Sequence, residues 1–323
     1  MTWFALGTFD GGQGPFAGLV LGDDAVHPLT AGTTVRGLVD RWDEELPGLQ
    51  ALADRLEGGE VPHRLAELRV LPPVSPVGQL FQAGANYRTH VLDLLEGAER
   101  RGDSSDGWGP AEREEARRAL DERAAGGAPF VFTGCVHAMV GASDDVVLPT
   151  GHAQPDWELE LAAIIGRAGR RVPAERALEH IAGYTICNDV TSRDALRRPD
   201  IPGGFDWLAA KNSPTFLPTG PLLVPAMHAG DPMDLRIELS VNGRVMQDES
   251  TADMMFGVAR LIEHVSTIAE LRPGDLLLTG SPAGNGASHG VFLQPGDVME
   301  GTITGLGTQH SRCVAEQPAV VPA

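Results

Sequence analysis

The segment Asp156-Trp157-Glu158-Leu159-Glu160-Leu161 alternates acid with apolar and runs directly into Ala162-Ala163-Ile164-Ile165. Side chains on a strand take opposite faces in turn, so Glu158 and Glu160 share one face and Trp157, Leu159 and Leu161 the other. Two carboxylates at the mouth of a buried strand repel each other, and each costs several kcal/mol to desolvate unless something cationic compensates. A bound divalent cation relieves both penalties. A solvated edge strand is the alternative, and the hexapeptide alone leaves the two readings open.

The next strand-like segment favours the cation. Tyr184-Thr185-Ile186-Cys187-Asn188-Asp189 follows a stretch from Pro173 to Ala182 that reads as a helix, with Pro173 in its first turn and Gly183 as its stop. Strand, helix and strand in succession form a crossover that can bring Asp189 beside the two glutamates. Three hard oxygen ligands suit Mg²⁺, Mn²⁺ or Ca²⁺ better than zinc, which more often recruits His or Cys. A second signal lies downstream. Of the 25 basic residues only Lys211 is a lysine. An ammonium can be desolvated, shift its pKa and donate to a substrate oxygen in ways that guanidinium cannot.

These residues stand in an ordered series: Gly84-Ala85-Asn86-Tyr87-Arg88-Thr89-His90-Val91-Leu92-Asp93, Glu158-Leu159-Glu160, Asn188-Asp189-Val190-Thr191-Ser192-Arg193-Asp194, Lys211, and Leu278-Thr279-Gly280-Ser281-Pro282-Ala283-Gly284. The series resembles the fumarylacetoacetate hydrolase superfamily over roughly residues 77 to 314. The resemblance implies an α+β, predominantly β fold, a mixed β-sandwich roll with a small N-terminal β-rich domain. It implies Mg²⁺ or Mn²⁺, with Ca²⁺ admissible, on Glu158, Glu160 and Asp189, and Lys211 against the substrate or its enolate. His90 becomes the general base with Asp93 as its acidic partner, and Tyr87, Arg193, Thr279 and Gly280 border the substrate. A homodimer is also implied. The chain departs from the family pattern at Asp93, where the family often has Glu, at Leu196, often Gln, and at Gly134, near a frequent lysine. These changes leave the metal chemistry intact and bear on the choice of substrate.

The elements that must position these residues follow from pattern. Residues 1–72 read as a small β-rich domain with a helix from about Glu45 to Leu56, joined through Leu71-Pro72-Pro73-Val74-Ser75-Pro76 to a catalytic domain over 73–323. Residues 93–128 read as an insertion whose charged helix, Pro110 to about Ala124, is either a solvated surface helix or a lid, and Gly97, Gly102 and Gly107 favour mobility. Leu235 to Val241 alternates, Asn242-Gly243 is a hairpin signal, and a helix is predicted from about Ala252 to Glu270 with Met255, Val258, Leu261, Ile262 and Val265 buried. Pro273-Gly274-Asp275 and Pro295-Gly296-Asp297 read as turns that each open a strand. No helix pattern follows the loop from Gly280 to Gly286, which argues against a P-loop, and Ser281 sits in no nucleophile elbow.

Composition narrows the partners. A net charge of −19 argues against nucleic acid and against anionic membrane, and no apolar run approaches a membrane span. Met1 to Gly7 lacks the basic and apolar regions of a signal peptide, and three scattered cysteines fit neither a disulfide framework nor a zinc spacing, so a cytoplasmic enzyme acting on a small keto acid is expected. The expected reaction is metal-dependent hydrolysis of a C–C bond in a small β-diketo acid or acylpyruvate. Two rivals remain: decarboxylation, hydration or isomerisation of a 2-oxo acid at the same metal site, and a non-catalytic metal-binding protein. Metal binding alone requires neither His90, Asp93 nor Lys211.

Overall fold

The computed structural model describes residues 1–100, 109–201 and 204–317, without the side chains of 98–100. Gly102 and Gly107, two of the glycines behind the lid expectation, lie outside the described residues. The first five strands form one antiparallel sheet in the order His63–Arg64, Ala25–Pro28, Pro15–Leu21, Phe4–Asp10 and Arg69–Leu71. The helix Trp42–Leu56 packs Trp42, Leu49 and Ala53 with Phe4, Leu6 and Leu19. Ile164, Leu223 and Leu276 belong to the same apolar cluster, and Leu6 and Leu223 exchange backbone hydrogen bonds of 2.9 and 2.8 Å. Apolar burial therefore runs continuously from this sheet into the main body.

The main body has two sheets. The larger is eight-stranded and mixed, in the order Phe130–Thr133, Leu80–Gly84, Leu276–Leu278, Leu159–Ile165, Ile181–Asn188, Leu217–Thr219 and Met139–Gly141, with Val224–Pro225 also pairing Ile181–Asn188. Its central strand Leu159–Ile165 is buried along its whole length, as expected of a strand covered on both faces. The second sheet runs Arg244–Ser250, Arg236–Val241, Val298–Ile303, Gly307–Ala315 and Val146–Leu148. The two meet where Leu159 lies against Gly301, at which a Cβ would approach Leu159 to 2.6 Å. Gln309, in the second sheet, donates from Nε2 to the carbonyls of Ile186, Pro218 and Gly220 at 3.0 Å each. The fold is thus α+β and predominantly β, with every catalytic candidate in or beside the larger sheet. No helix among the described residues is long and apolar enough to cross a membrane.

The hairpin at Asn242-Gly243 forms as its turn chemistry requires, with φ of 52° and 76° at the two residues. The paired Pro-Gly-Asp turns also form. Asp275 accepts from the Arg272 amide and Asp297 from the Gln294 amide, and the strands Leu276–Leu278 and Val298–Ile303 follow.

Three local expectations are corrected. The segment expected to be helical from Pro173 to Ala182 is one α-turn, Ala174–Ala177, and one 3₁₀ turn, Leu178–His180, and the next strand already begins at Ile181. Gly183 is therefore not a helix stop. It lies inside that strand, where a Cβ would come within 2.2 Å of the Val224 carbonyl oxygen, so the glycine serves strand approach. The helix predicted from Ala252 begins only at Val258, after a 3₁₀ turn at Thr251–Asp253 capped by Ser250. Asn86 prevents continuity: its backbone carbonyl accepts from the Met255 amide at 2.7 Å and its Oδ1 from the Phe256 amide at 3.0 Å. The burial of Met255, Val258, Leu261, Ile262 and Val265 is as expected. Finally, one helical turn, Gly286–His289, does follow the Gly280–Gly286 loop, because Asp156 accepts from its first amides.

Candidate metal and catalytic site

Leu159–Ile165 and Ile181–Asn188 are antiparallel neighbours, with Leu159 opposite Asn188, and the Asp189 amide donates to the Glu158 carbonyl at 2.8 Å. Antiparallel pairing of these neighbouring strands, joined through Gly166 to His180, thus brings Asp189 to the two glutamates, in place of the expected crossover. One carboxylate oxygen from each of Glu158, Glu160 and Asp189 lies within 4.8 Å of the other two, and all three residues are buried.

Their surroundings divide the charge unequally. The Lys211 ammonium donates to Asp189 Oδ2 at 2.6 Å, Glu158 Oε2 at 2.7 Å and Thr191 Oγ1 at 2.8 Å. Lys211 ends the short helix Trp207–Lys211, whose start is capped by Asp206 accepting from the Ala209 amide. Burial pushes the Glu158 carboxyl up, but Lys211, Arg193 and His90 together outweigh it and hold the group down at about 2. Burial raises Asp189 to about 6, with Lys211 opposing and Glu158 assisting. Glu160 is raised well above the carboxylate range by burial and by the charges of Asp189 and Glu158. Burial opposes the Lys211 ammonium, yet Asp189 and Glu158 raise its pKa above the ordinary value.

This environment suits a hard divalent cation. Asp189 Oδ1 is buried with no hydrogen-bond partner, and Glu160 and Asp189 both have the raised affinity for positive charge that buried, mutually repelling carboxylates acquire. Oxygen-only donors match Mg²⁺, Mn²⁺ or Ca²⁺. Glu160 is aimed by the turn after Leu276–Leu278: the Gly280 amide donates to its Oε2 at 2.7 Å. Gly280 has φ of 94°, a conformation that L side chains rarely adopt. Thr279 is locked by donating from Oγ1 to the Leu161 carbonyl at 2.9 Å.

Arg193, expected to border the substrate, is engaged within the scaffold. Its Nε donates to Asp156 Oδ2 at 2.8 Å and its Nη2 pairs with Glu158 Oε1 at 2.6 Å. Asp156 also accepts from the amides of Trp157, Gly286 and Ala287. Tyr87 is fully buried, and its hydroxyl, which burial makes harder to ionise, faces Thr279 and Glu160. Cys187 is a core residue whose Sγ meets Thr219 Oγ1 at 3.6 Å and whose thiol is pushed up by burial.

His90 lies in the helix Arg88–Arg100, buried, with Nδ1 lacking a hydrogen-bond partner. Burial lowers its pKa to about 4, the Glu158 charge opposing and Arg193 and Lys211 reinforcing, so the imidazole is neutral at physiological pH. The ring feels the Glu158 charge and the Asn285 side chain, and Asp93 follows one helical turn further on.

Two residues stand inside the quoted motifs without a role read from sequence. Asp156 heads the acidic hexapeptide, yet it organises the loop and Arg193 rather than the carboxylate cluster. Asn86 joins three segments, donating from Nδ2 to the carbonyls of Phe256 at 2.9 Å and Thr279 at 2.8 Å. Their full burial is the signal that strand pattern alone does not carry.

Fold and site together define a β-rich roll with a buried carboxylate centre able to hold a divalent cation. Residues 79–314 match the family described as fumarylacetoacetate (FAA) hydrolase, C-terminal, and the chain belongs to that family. It is 35% identical over 243 residues, 74% of this chain and 74% of the relative, to a 2,4-didehydro-3-deoxy-L-rhamnonate hydrolase of Sphingomonas sp. (strain SKA58). It is 41% identical over 188 residues, 58% of this chain and 59% of the relative, to a mitochondrial oxaloacetate tautomerase of Homo sapiens. The crystal structure of a probable 2-hydroxyhepta-2,4-diene-1,7-dioate isomerase from Mycobacterium abscessus is similar over 97% of this chain and 100% of that one, with a TM-score of 0.75 at 28% identity. Hydrolases and isomerases both stand among the relatives.

Proposed function

We propose that the chain is a divalent-metal-dependent hydrolase that cleaves a C–C bond in a small β-diketo acid of the acylpyruvate type. The observation that carries this reading is the convergence of Glu158, Glu160 and Asp189 with the Lys211 ammonium among them. The hydrolase relative supports the substrate class, since its name describes a sugar acid oxidised at C2 and C4, a 2,4-dioxo acid. When held by the three carboxylates, Mg²⁺ or Mn²⁺ supplies Lewis-acid polarisation of the substrate's oxo and carboxylate oxygens.

The chain's own groups do the rest. His90, neutral above about pH 4, accepts a proton from the attacking water, a contribution typically of about 10² to 10⁴ in rate. Lys211 donates to the oxygen of the departing enolate. Arg193 and the Gly280 amide fix Glu158 and Glu160, so the carboxylates need no reorganisation as charge develops. We further propose that the partners are a small keto acid and a metal, the net charge of −19 arguing against nucleic acid and anionic membrane, and that the chain acts in the cytoplasm as the homodimer its family resemblance implies.

A second reading keeps the site and changes the outcome. The likeness to an oxaloacetate tautomerase favours it, because protonating an enolate at carbon needs the same ammonium and imidazole. Incubation of the Mg²⁺-supplemented protein with acetylpyruvate and with oxaloacetate separates the two. Release of two acids from acetylpyruvate is the expected result. Accelerated keto-enol interconversion of oxaloacetate with no cleavage of acetylpyruvate would replace hydrolysis by tautomerisation.

A further inference from the structure

Beside the charged cluster lies a patch of different chemistry. Phe132 stacks on Trp207 with centroids 4.7 Å apart and planes at 22°, and Phe205 continues the stack on Trp207 at 6.0 Å and 26°. Phe130 closes the group at 5.7 Å from Trp207 and 6.0 Å from Phe132. Phe130 and Phe132 share one face of their strand by alternation. Gly84, in register with Phe130, leaves room for that ring: a Cβ there would lie 2.7 Å from it.

The outer part of the shelf faces solvent, with Phe130 44% and Phe205 55% exposed. Its inner end meets the reactive groups. Lys211 Nζ lies 5.8 Å from the Phe132 ring centroid, and Trp207 and Lys211 are four residues apart on one helix, hence on the same face.

We propose that this shelf is the subsite for the part of the substrate distal to its keto-acid head, and that this part is a flat aromatic or conjugated apolar group. The inference rests on the hydrolase reading and specifies its substrate. Continuity with Lys211 selects the occupant: a group on the shelf is covalently within reach of an oxygen held at the ammonium, which a distant surface of a second copy is not. Near-parallel rings present their flat faces, which pair best with another planar π system in offset stacking.

Acetylpyruvate and benzoylpyruvate share a head and differ only in the tail, so they isolate the shelf. Full-length protein with Mg²⁺ is titrated calorimetrically with each and assayed for cleavage, alongside Trp207→Ala and Phe205→Ala, whose folding is checked by circular dichroism. The wild type should bind the benzoyl compound about tenfold more tightly, the scale of one stacked ring, and each variant should bring the ratio toward one. The exposed position of Phe205 keeps the test sound if Trp207→Ala misfolds.

A wild-type ratio near one, or a ratio that survives in every folded variant, overturns the shelf. So does a change confined to the oligomeric mass, which would make the patch a seat for a second copy. Cleavage of both compounds with equal affinity sinks the shelf alone. A tail preference that the variants erase, without cleavage of either compound, supports the shelf and sinks the hydrolase reading alone.

Discussion

The Lys211 ammonium sits 2.6 Å from Asp189 Oδ2, closer than to either of its other two partners. The chain's single lysine thus neutralises in part the same carboxylates that a cation would share. Arginine serves every other basic position, so Lys211→Arg tests whether a point charge is what the site needs. Turnover should fall by about 100-fold or more, the scale of losing one preorganised donor, while Mg²⁺ still binds by calorimetry. Wild-type kinetics in this variant would reduce Lys211 to a structural cation.

Glu160→Gln keeps an acceptor for the Gly280 amide and removes a carboxylate that burial, Asp189 and Glu158 raise well above its ordinary value. The variant should lose the rise in Tm that Mg²⁺ or Mn²⁺ gives the wild type, with an apo Tm no lower than wild type. A preserved metal-induced shift in differential scanning fluorimetry would remove Glu160 from the ligand set.

Metal affinity should depend on pH with a definite sign. Asp189, raised to about 6, binds a proton in the apo protein that the cation must displace, so affinity falls as pH drops through about 6. The same shift acts on apo stability. An acid raised on folding destabilises once the pH exceeds its unfolded value, with the full penalty present above about 6. Glu158, lowered to about 2, stabilises in full above its unfolded value and loses that contribution progressively as pH falls from there to about 2. Calorimetry in buffers of different ionisation enthalpy should show more protons released on Mg²⁺ binding at pH 6 than at pH 8. Equal release at both would contradict the raised Asp189.

Asp156→Ala should be the most destabilising of these changes without removing a carboxylate of the cluster. It unpairs part of the partly buried Arg193 and strips acceptors from the amides of Gly286 and Ala287. Breaking a fully buried pair costs about 3 to 5 kcal/mol, and Arg193, partly exposed and still paired with Glu158, should bring the loss below that range. Chemical denaturation with an unchanged midpoint would show that the loop is held by other means.

The acidic pair, the Asn242-Gly243 hairpin and the two Pro-Gly-Asp turns were legible because each rests on a short-range rule of alternation or turn geometry, whereas Asp189 reaches the pair by antiparallel pairing and not by the expected crossover. What was not legible depended on distant partners. Gly183 read as a helix stop until Val224 crowded it, and the helix from Val258 was shortened by Asn86, which lies 170 residues from Phe256. The burial that lowers His90 to about 4 is likewise invisible in its spacing. The Phe130, Phe132, Phe205 and Trp207 group joins two chain segments whose proximity no local pattern announces.

Asn86 also imposes an order of assembly. Its amide spans 193 residues to the Thr279 carbonyl, and the Gly280 amide that aims Glu160 comes from 120 residues beyond it. A ribosome that has delivered both acidic strands has therefore not yet delivered the turn that holds them in place. During synthesis Glu160 must wait without the amide that aims it while Glu158 already has Arg193 and Lys211, and chains interrupted before about residue 287 should emerge without a competent cation site.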